Sequence, residues 1–264
     1  MRAVRGAWLA LLVLTPTAAE ARPLRVLSLD QCADQYVLAL APEAELALSS
    51  RADDPDSWMR QAARGRPKVR PTLEAAVGFR PDVVVRYWGG EPRLLAALEK
   101  RGTRVLNIDD ATDMDGVREN LRAVSQGLGQ EARGEALAAH MDRRLAQAAG
   151  AGRGREVVYV TPGGYTSGAG SLIDAVLRAA GFRNGVTAPG YQPLGIEKIA
   201  LSPPALFVRG FFQQWRADWR GAGRHPVVQR AARGRTAADL PASALGCPAW
   251  FAADAAAQLA EAGR

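Results

Sequence analysis

A helix–proline–strand pattern occurs twice in this 264-residue chain, in residues 73–88 and in residues 196–211. In each copy a proline ends a short helical segment, and three or four apolar residues follow without polar alternation. Such a run is typical of a strand that is buried on both faces of a parallel sheet. One offset of 123 residues superimposes the copies and places Glu74 on Glu197. The repeat predicts two matching α/β lobes; the alternative is a common α/β pattern that recurs by chance.

The pattern around the first copy predicts an N-terminal α/β lobe over residues 22–114. Apolar runs and amphipathic spacing predict strands at residues 25–29, 46–49, 83–85 and 104–108, and helices at residues 35–40 and 93–101. Loops that follow parallel strands form ligand sites in open α/β sheets. Gln31 and Arg51, each in such a loop, are therefore candidate ligand-binding residues. The alternative for the first loop is that its Asp30 and Asp34 are ordinary helix caps.

Residues 115–150 have helical spacing throughout and predict a helical linker between the lobes. Gly127 and Gly129 predict a turn inside this segment, which leaves one long helix over residues 130–149. We expect this long helix to be a stiff connector between two sheets flanked by helices.

The remainder, residues 151–264, predicts a C-terminal α/β lobe. A strand is expected at residues 156–160 and a helix at residues 171–180, and the second copy of the repeat follows. The glycine-rich loop between them, residues 161–170, lacks the Gly-Lys-Ser/Thr of a phosphate-binding loop. We interpret it as a pliant loop that presents Tyr165 to a ligand. The end of the chain is expected to contain few strands and to finish in a helix.

Arginine and aromatic residues follow both strands of the repeat. The carboxyl ends of the strands in two such lobes meet in the space between the lobes, which we term the cleft. The candidate cleft residues of this group are Arg86, Tyr87, Trp88, Arg209, Phe211 and Trp215. Two arginines in one cleft favour an anionic ligand, because guanidinium groups bind carboxylates and phosphates through charge-assisted hydrogen bonds. The alternative for Trp215 is the core, since in a helix it would share a face with Trp219.

Residues 1–21 have the pattern of a cleavable signal peptide. Two arginines precede an apolar run, and Ala19-Glu20-Ala21 is a small-x-small cleavage site. No cysteine lies at that junction, so we expect export to the periplasm without a lipid anchor. An uncleaved membrane anchor is the alternative, and it would require a longer apolar run.

The formal net charge is +7, and the basic residues are scattered through arginine-rich loops. A nucleic-acid-binding face would cluster them, so we expect no nucleic-acid partner. The surplus of positive charge suits an anionic ligand or a membrane surface.

The two cysteines, Cys32 and Cys247, lie near opposite ends of the expected mature chain. In an oxidising compartment they form a disulfide or remain two buried free thiols, and both interpretations fit the sequence. The competing functional class is an exported α/β enzyme with Cys32 as its nucleophile. No motif positions a base for Cys32, so we expect no enzymatic activity, no catalytic residue, no resident cofactor and no metal site.

The order and spacing of these features resemble one protein family. Its most specific segments here are Pro71-Thr72-Leu73-Glu74, Pro81-Asp82-Val83-Val84-Val85, Gly163-Gly164, Ser171-Leu172-Ile173-Asp174, Ala180-Gly181 and Asn184. Together with the leader, the two lobes and the linker helix, they resemble the helix-linked class of periplasmic binding proteins. That class serves ABC importers of vitamin B12, ferric siderophores and related iron complexes such as haem. The resemblance covers nearly all of the chain after residue 21.

The resemblance implies a monomeric binding protein whose partners are a permease and an ATPase. Its ligand would be a metal chelate held in the cleft: a ferric siderophore, a haem-like iron complex or cobalamin. The arginine pair favours an anionic iron complex over vitamin B12, which has no comparable anionic cluster beyond its phosphodiester.

The family also implies a docking role for one exposed glutamate on each lobe, which meets arginines of the two permease subunits. The matching positions here are Glu74 and Glu197. The alternative is that these glutamates only begin helices and interact favourably with the helix dipole. Receptors for bare zinc or manganese ions in the same superfamily need several histidine and carboxylate ligands, which His140 and His225 alone do not supply.

Overall fold

The computed structural model describes residues 22–263. The predicted signal peptide, residues 1–21, lies outside the described residues.

The N-terminal lobe is a parallel sheet with the strand order β2-β1-β3-β4. Its elements are β1 (Arg25–Ser28), α1 (Gln31–Leu40), β2 (Glu45–Ala47), α2 (Arg60–Ala63), α3 (Leu73–Phe79), β3 (Val83–Arg86), α4 (Pro92–Glu99) and β4 (Arg104–Asn107). Helices cover both faces of this sheet, as the apolar run in β3 predicts. Val83 and Val85 pack into one hydrophobic cluster and Val84 packs into another, and all three are fully buried.

Helix α1 begins at Gln31, four residues earlier than predicted. Asp30 is its N-cap, because one carboxylate oxygen accepts backbone hydrogen bonds of 2.9 and 3.0 Å from the first turn. The interpretation of residues 30–34 as a loop is therefore wrong. Asp34 is not a cap either: it is buried and accepts hydrogen bonds from the N–H and Oγ of Ser49, at 2.8 and 2.5 Å. These bonds tie α1 to the chain that follows β2.

The helical linker consists of two helices, α5 (Met114–Leu128) and α6 (Glu131–Ala148). The turn between them forms at Gly129, whose φ of +66° ends α5 in the left-handed conformation that glycine adopts readily. Helix α6 follows α5 directly and precedes β5, the first strand of the second sheet. Within the described part of the chain, none of the helices has the length and apolar content needed to cross a bilayer.

The C-terminal lobe is a second parallel sheet, with the strand order β10-β9-β5-β7, beside a two-stranded antiparallel pair, β6-β8. Its elements are β5 (Glu156–Val160), β6 (Tyr165–Ser167), α7 (Leu172–Ala179), β7 (Arg183–Asn184), β8 (Tyr191–Pro193), α8 (Ile196–Leu201), β9 (Phe207–Gly210), a 3₁₀ turn (Ala222–Arg224), α9 (Pro226–Ala232), β10 (Thr236–Leu240), α10 (Ala242–Leu245) and α11 (Ala252–Ala262). The second copy of the repeat folds as α8 and β9, the equivalents of α3 and β3.

One part of this lobe differs from the sequence prediction, and another agrees with it. The glycine-rich segment 161–170 is not one pliant loop, because it contains β6 and β6 is fixed by pairing with β8. The end of the chain contributes one strand, β10, which pairs with β9 along its length, and finishes in α11, as expected of a segment with few strands and a final helix. The sequence signals for β6 and β10 are both weak, because β6 has three residues and β10 contains two alanines in place of larger apolar residues.

The end of the chain returns to the N-terminal lobe. Cys247 forms a disulfide with Cys32, with 5.4 Å between the Cα atoms, so the alternative of two free thiols is excluded. Phe251 stacks on Trp58 with 5.0 Å between ring centroids, and Trp250 packs edge-on against Tyr36. The C-terminal segment therefore joins the two lobes beneath the strand ends.

Candidate ligand-binding cleft

Residues that follow the strands of both lobes enclose one cavity of about 320 Å³. Tyr87 follows β3 in the N-terminal lobe, and Asp110 follows β4. Tyr191 begins β8 of the C-terminal lobe, and Cys247 brings the disulfide to the cavity wall. We call this space the inter-lobe cavity. Both lobes contribute to its lining, and of the predicted ligand-binding residues Tyr87 is the one that lines it.

A tyrosine from each lobe and one carboxylate interact in this cavity. The hydroxyl of Tyr87 donates a hydrogen bond to Asp110. Burial raises the pKa of the Tyr87 hydroxyl, and its hydrogen bond to Asp110 raises it further. Burial also raises the pKa of Tyr191, with a smaller contribution from the charge of Asp110. Both tyrosines therefore remain neutral hydrogen-bonding groups at physiological pH.

Asp30 holds the loop after β3 against the start of α1. Its second carboxylate oxygen accepts hydrogen bonds from the backbone N–H groups of Tyr87, at 2.7 Å, and Gly89, at 2.9 Å. A side chain at residue 89 would not fit, because a Cβ atom there would lie 2.5 Å from the carbonyl oxygen of Leu29. Asp30 thus does more than cap a helix: it also fixes the backbone that carries Tyr87 and Trp88.

Gln31, Arg51 and Trp88 line a second cavity of about 250 Å³, which we call the N-lobe cavity. Gln31 donates a hydrogen bond of 2.7 Å to the Oγ of Ser57, and Arg51 forms an ion pair of 3.0 Å with Asp54. Trp88 is 59% exposed, so its ring is available to a ligand. The structure therefore brings these three candidate residues together.

Arg86 ends β3 beside Asn107, the last residue of β4. Its Nη1 donates a hydrogen bond of 2.9 Å to Oδ1 of Asn107, and its Nε donates one of 2.5 Å to the carbonyl of Gly89. Both acceptors are neutral. Among residues 22–263, no carboxylate forms an ion pair with Arg86.

Arg209 occupies the equivalent place in the second sheet, at register with Asp239 of β10. Its Nε and Nη2 each donate a hydrogen bond of 2.6 Å to the Asp239 carboxylate. This hydrogen-bonded carboxylate raises the pKa of Arg209 above its usual value. The guanidinium also stacks on Phe212, 5.0 Å from the ring centroid. Arg209 is thus charge-compensated, unlike Arg86.

The aromatic residues after β9 lie in a turn-rich loop. Trp215 is 60% exposed and Trp219 is 74% exposed, so the interpretation of these residues as core is wrong. The loop is held by Arg224, whose guanidinium lies 5.1 Å from the ring centroid of Phe212 and 4.5 Å from that of Trp219. Phe211, the equivalent of Trp88, is half-buried and has a φ of +65°.

The two lobes also touch where this loop reaches the N-terminal lobe. The backbone N–H of Trp215 donates a hydrogen bond of 3.0 Å to the carboxylate of Asp56, five residues after Arg51. Tyr165, at the start of β6, is also exposed, but it lines neither of the two cavities. The contact through Asp56 places the Trp215 loop beside the segment that carries Arg51.

Most of the chain, residues 28–244, matches the family model described as periplasmic binding protein. The chain belongs to this family. It is also 28% identical over 207 residues to a cobalamin-binding protein of Halobacterium salinarum. That alignment covers 74% of this chain and 56% of the relative, so the chain spans little more than half of the relative's length.

Two solved structures have the same fold as this periplasmic binding protein. The periplasmic heme-binding protein BhuT in complex with two hemes superimposes with a TM-score of 0.68 and 24% identity, covering 91% of this chain and 99% of that chain. The periplasmic vitamin B12-binding protein BtuF of Vibrio cholerae superimposes with a TM-score of 0.64 and 18% identity, covering 91% and 96%.

The two glutamates singled out by the repeat lie at equivalent places on the two lobes of this periplasmic binding protein. Glu74 is exposed in the first turn of α3, and Glu197 is exposed in the first turn of α8. Pro71, three residues before Glu74, lines the N-lobe cavity.

The interpretation of Cys32 as an enzyme nucleophile is wrong for the oxidised protein, because a disulfide sulfur carries no thiolate. Within residues 22–263, no group of three or more histidine, cysteine, aspartate or glutamate side chains is arranged to hold a metal ion. His140 lies on α6, where its Nε2 is 3.7 Å from Asp254.

Four residues that line the inter-lobe cavity or contact the strand-end arginines are absent from the sequence prediction: Asn107, Asp110, Tyr191 and Asp239. Asn107 and Asp239 are equivalent in the two sheets, yet the offset of 123 residues does not superimpose them. The loop after β9 is longer than the loop after β3, and β10 has a bulge between Thr236 and Ala238. Strand alternation at the ends of β4 and β10 is the only local signal for these two residues.

Proposed function

We propose that this chain is the periplasmic substrate-binding component of an ABC importer and that it captures a metal chelate in the cleft. Within that class we propose a tetrapyrrole complex, haem or cobalamin. The observation that carries this proposal is the exposure of two indole rings, Trp88 in the N-lobe cavity and Trp215 in a loop that is hydrogen-bonded to Asp56 of the N-terminal lobe. Flat aromatic side chains offer large contact area to a planar macrocycle at a low entropic cost.

The comparisons support the same ligand class. The curated relative is named a cobalamin-binding protein, and the two solved structures are named as heme-binding and vitamin B12-binding proteins. Family membership also supports a periplasmic location and a binding function in preference to catalysis. In a binding protein the cleft closes on its ligand and releases it unchanged.

Glu74 and Glu197 are proposed to dock the loaded protein onto the two permease subunits. Their equivalent positions on the two lobes suit a partner with two-fold symmetry. An isolated surface ion pair contributes only about 0–1 kcal/mol. The role of these glutamates would therefore be to steer the complex and set its register, with affinity coming from the wider contact.

The proposal is tested by adding cyanocobalamin and hemin separately to the oxidised protein and following tryptophan fluorescence and the melting temperature. A ligand that binds only the folded state raises the melting temperature with its concentration. We expect saturable one-to-one binding of at least one of the two, with the ligand recovered chemically unchanged. A ferric hydroxamate siderophore serves as the competing ligand. If it binds and neither tetrapyrrole does, the ligand class is wrong; conversion of any bound compound would show an enzyme.

A further inference from the structure

The chain between β9 and the 3₁₀ turn, residues 211–221, forms a loop that we call the basic aromatic loop. A tryptophan followed by an arginine occurs twice in it, as Trp215-Arg216 and as Trp219-Arg220, and all four side chains are exposed. The loop lines neither the inter-lobe cavity nor the N-lobe cavity. Its equivalent in the N-terminal lobe, residues 87–91, is shorter and contains no basic residue.

Arg224 braces the basic aromatic loop. Its guanidinium donates hydrogen bonds to the backbone carbonyls of Phe212, at 2.6 Å, and of Asp218, at 3.0 Å. It also lies over the ring of Trp219, 4.5 Å from the centroid. Trp219 is nevertheless 74% exposed, so most of its ring faces solvent. A braced loop loses little conformational entropy when it binds a partner, and the indole is already in place.

The positive charge of this loop is not neutralised by the carboxylates beside it. The carboxylate of Asp56 accepts a hydrogen bond of 3.0 Å from the backbone N–H of Trp215. The carboxylate of Asp218 accepts one of 2.8 Å from the backbone N–H of Arg220. In the part of the chain that the structure describes, the guanidinium groups of Arg216 and Arg220 have no hydrogen bond or ion pair. Their N–H groups are therefore available to an external anion.

The basic aromatic loop lies at the same end of the C-terminal lobe as Glu197, which is in the first turn of α8. Gly164 links the two places, because its carbonyl accepts a hydrogen bond of 2.7 Å from the N–H of Leu194, just before α8. A Cβ atom on Gly164 would also lie 2.4 Å from the Cβ of Ala222, the residue that follows the loop. A protein docked through Glu197 onto a membrane-embedded permease therefore turns this loop toward the bilayer.

We propose that the basic aromatic loop is a contact surface for the anionic lipid headgroups of the membrane that holds the permease. Arg216 and Arg220 bind lipid phosphates, since guanidinium groups donate charge-assisted hydrogen bonds to phosphate. The indole of Trp219 lies among the headgroups, where an apolar ring with one polar N–H is favoured. The contact is weak and reversible, because two arginines and one ring provide far less than a lipid anchor. It keeps the binding protein close to its permease.

The restriction of this loop to one lobe favours lipid over the permease as its partner. A permease with two-fold symmetry presents the same surface to both lobes, which suits the equivalent positions of Glu74 and Glu197. The loop 87–91 instead ends in the acidic Glu91. A lipid surface has no symmetry to match and attracts basic segments wherever they lie. This inference rests on the proposed function for the orientation of the loop, whereas binding to lipid requires neither ligand nor permease.

The test uses the mature chain and vesicles of phosphatidylcholine, either alone or mixed with the anionic lipid phosphatidylglycerol. We expect the protein to sediment with the anionic vesicles and not with phosphatidylcholine alone, and the binding to weaken as salt is added. Arg216→Gln combined with Arg220→Gln should weaken partitioning onto anionic vesicles about twentyfold, at about fivefold for each arginine. Trp219→Ala should weaken it as well. Brominated lipid should quench tryptophan fluorescence less in Trp219→Phe than in the unmodified protein.

The linker helices supply the matched control. Arg122 and Arg143 are exposed arginines on α5 and α6, so Arg122→Gln combined with Arg143→Gln removes the same charge at another place. This pair should change partitioning less than about threefold, because salt screens charges that lie far from the contact. Melting temperatures and titration with cyanocobalamin and hemin show whether each variant is folded and whether its cleft is unchanged.

Equal losses in the loop pair and the linker pair would overturn the inference, because they would show unspecific attraction of a basic protein. Unchanged partitioning in the loop pair or in Trp219→Ala would overturn it too. Reduced ligand uptake by loop variants that still bind vesicles normally would show that the loop contacts the permease instead. Failure of both cyanocobalamin and hemin to bind would overturn the proposed ligand class alone, since the vesicle assay contains no ligand.

Discussion

Cys32 and Cys247 are joined by a disulfide although 215 residues separate them in the sequence. Cys32 lies in the first turn of α1, and Cys247 follows α10 after the last strand of the second sheet. The bond therefore closes the chain across both lobes and the linker. Since Cys247 also lines the inter-lobe cavity, the disulfide is part of the cavity wall.

Replacing both cysteines by serine should lower the free energy of unfolding by about 2–5 kcal/mol, because the bond restricts a very long loop in the unfolded chain. Guanidinium chloride unfolding of oxidised protein measures the loss. Each single variant should match the double variant, since either substitution removes the bond. Two results would contradict the expectation. One is a midpoint of unfolding that is the same in wild type and variants. The other is a reduced wild-type protein that is still more stable than the double variant by about 2–5 kcal/mol.

Asp34 should make stability fall as pH rises through the weakly acidic range. Burial raises the pKa of its carboxyl from 3.8 to about 6, and the hydrogen bonds from Ser49 only partly oppose this. The folded state therefore holds the proton more tightly than the unfolded state. The resulting stabilisation is complete below about pH 4 and is lost as pH rises through about 6.

Asp34→Asn removes that titration and keeps an acceptor for the Ser49 N–H. The free energy of unfolding of wild type minus that of the variant should fall by about 2–3 kcal/mol from pH 4 to pH 7, because the pKa of Asp34 differs by about two units between the folded and unfolded states. Urea unfolding at several pH values measures it. A difference that stays constant over this range would show that Asp34 has an ordinary pKa in the folded protein.

Trp88→Ala and Trp215→Ala should each weaken binding of the tetrapyrrole by about 1.5–3 kcal/mol, the value of burying a large apolar side chain. Leu201→Ala provides the control, because Leu201 is 88% exposed on α8 and lines neither cavity, whereas Trp88 lines the N-lobe cavity and the Trp215 backbone is hydrogen-bonded to Asp56 of the other lobe. Fluorescence or absorbance titration of each variant gives the dissociation constant. Equal affinity for wild type and both tryptophan variants would remove the aromatic residues from the site.

Charge reversal of Glu74 and Glu197 together should reduce uptake of the ligand by cells about tenfold or more while the dissociation constant stays the same. The control is reversal of Glu99 and Glu119, which are exposed glutamates on α4 and α5. Transport assays in a strain that depends on this protein provide the measurement. A parallel fall in ligand affinity, or equal transport defects in test and control variants, would show that the two glutamates do not dock a permease.

The elements predicted best are those in which local sequence and burial agree. Val83, Val84 and Val85 are apolar, β-branched and covered on both faces, so their pattern alone identifies a central strand. The start of α1 is harder to predict from sequence, because Asp30 caps the helix and also accepts a hydrogen bond from the backbone N–H of Tyr87. Only the first of these two roles has a local signal in sequence.

The parts of the site that were missed depend on contacts between residues distant in sequence. Nothing near Arg209 indicates that Asp239 faces it, because the pairing is created by strand register. The exposure of Trp215 likewise depends on a loop stabilised by Arg224 and by Asp56 of the other lobe. The sequence predicts a ligand surface at the strand ends, whereas the partners of Arg86 and Arg209 depend on strand register and are visible only in the structure.

The central claim is that a tetrapyrrole occupies the cleft, and the most direct measurement is of the compound that copurifies with the protein from its own periplasm. Visible absorption and mass spectrometry distinguish a corrinoid, a haem and a ferric siderophore. The account predicts one tetrapyrrole, a corrinoid or a haem, per protein. A stoichiometric siderophore, or a bound compound without a metal, would contradict it.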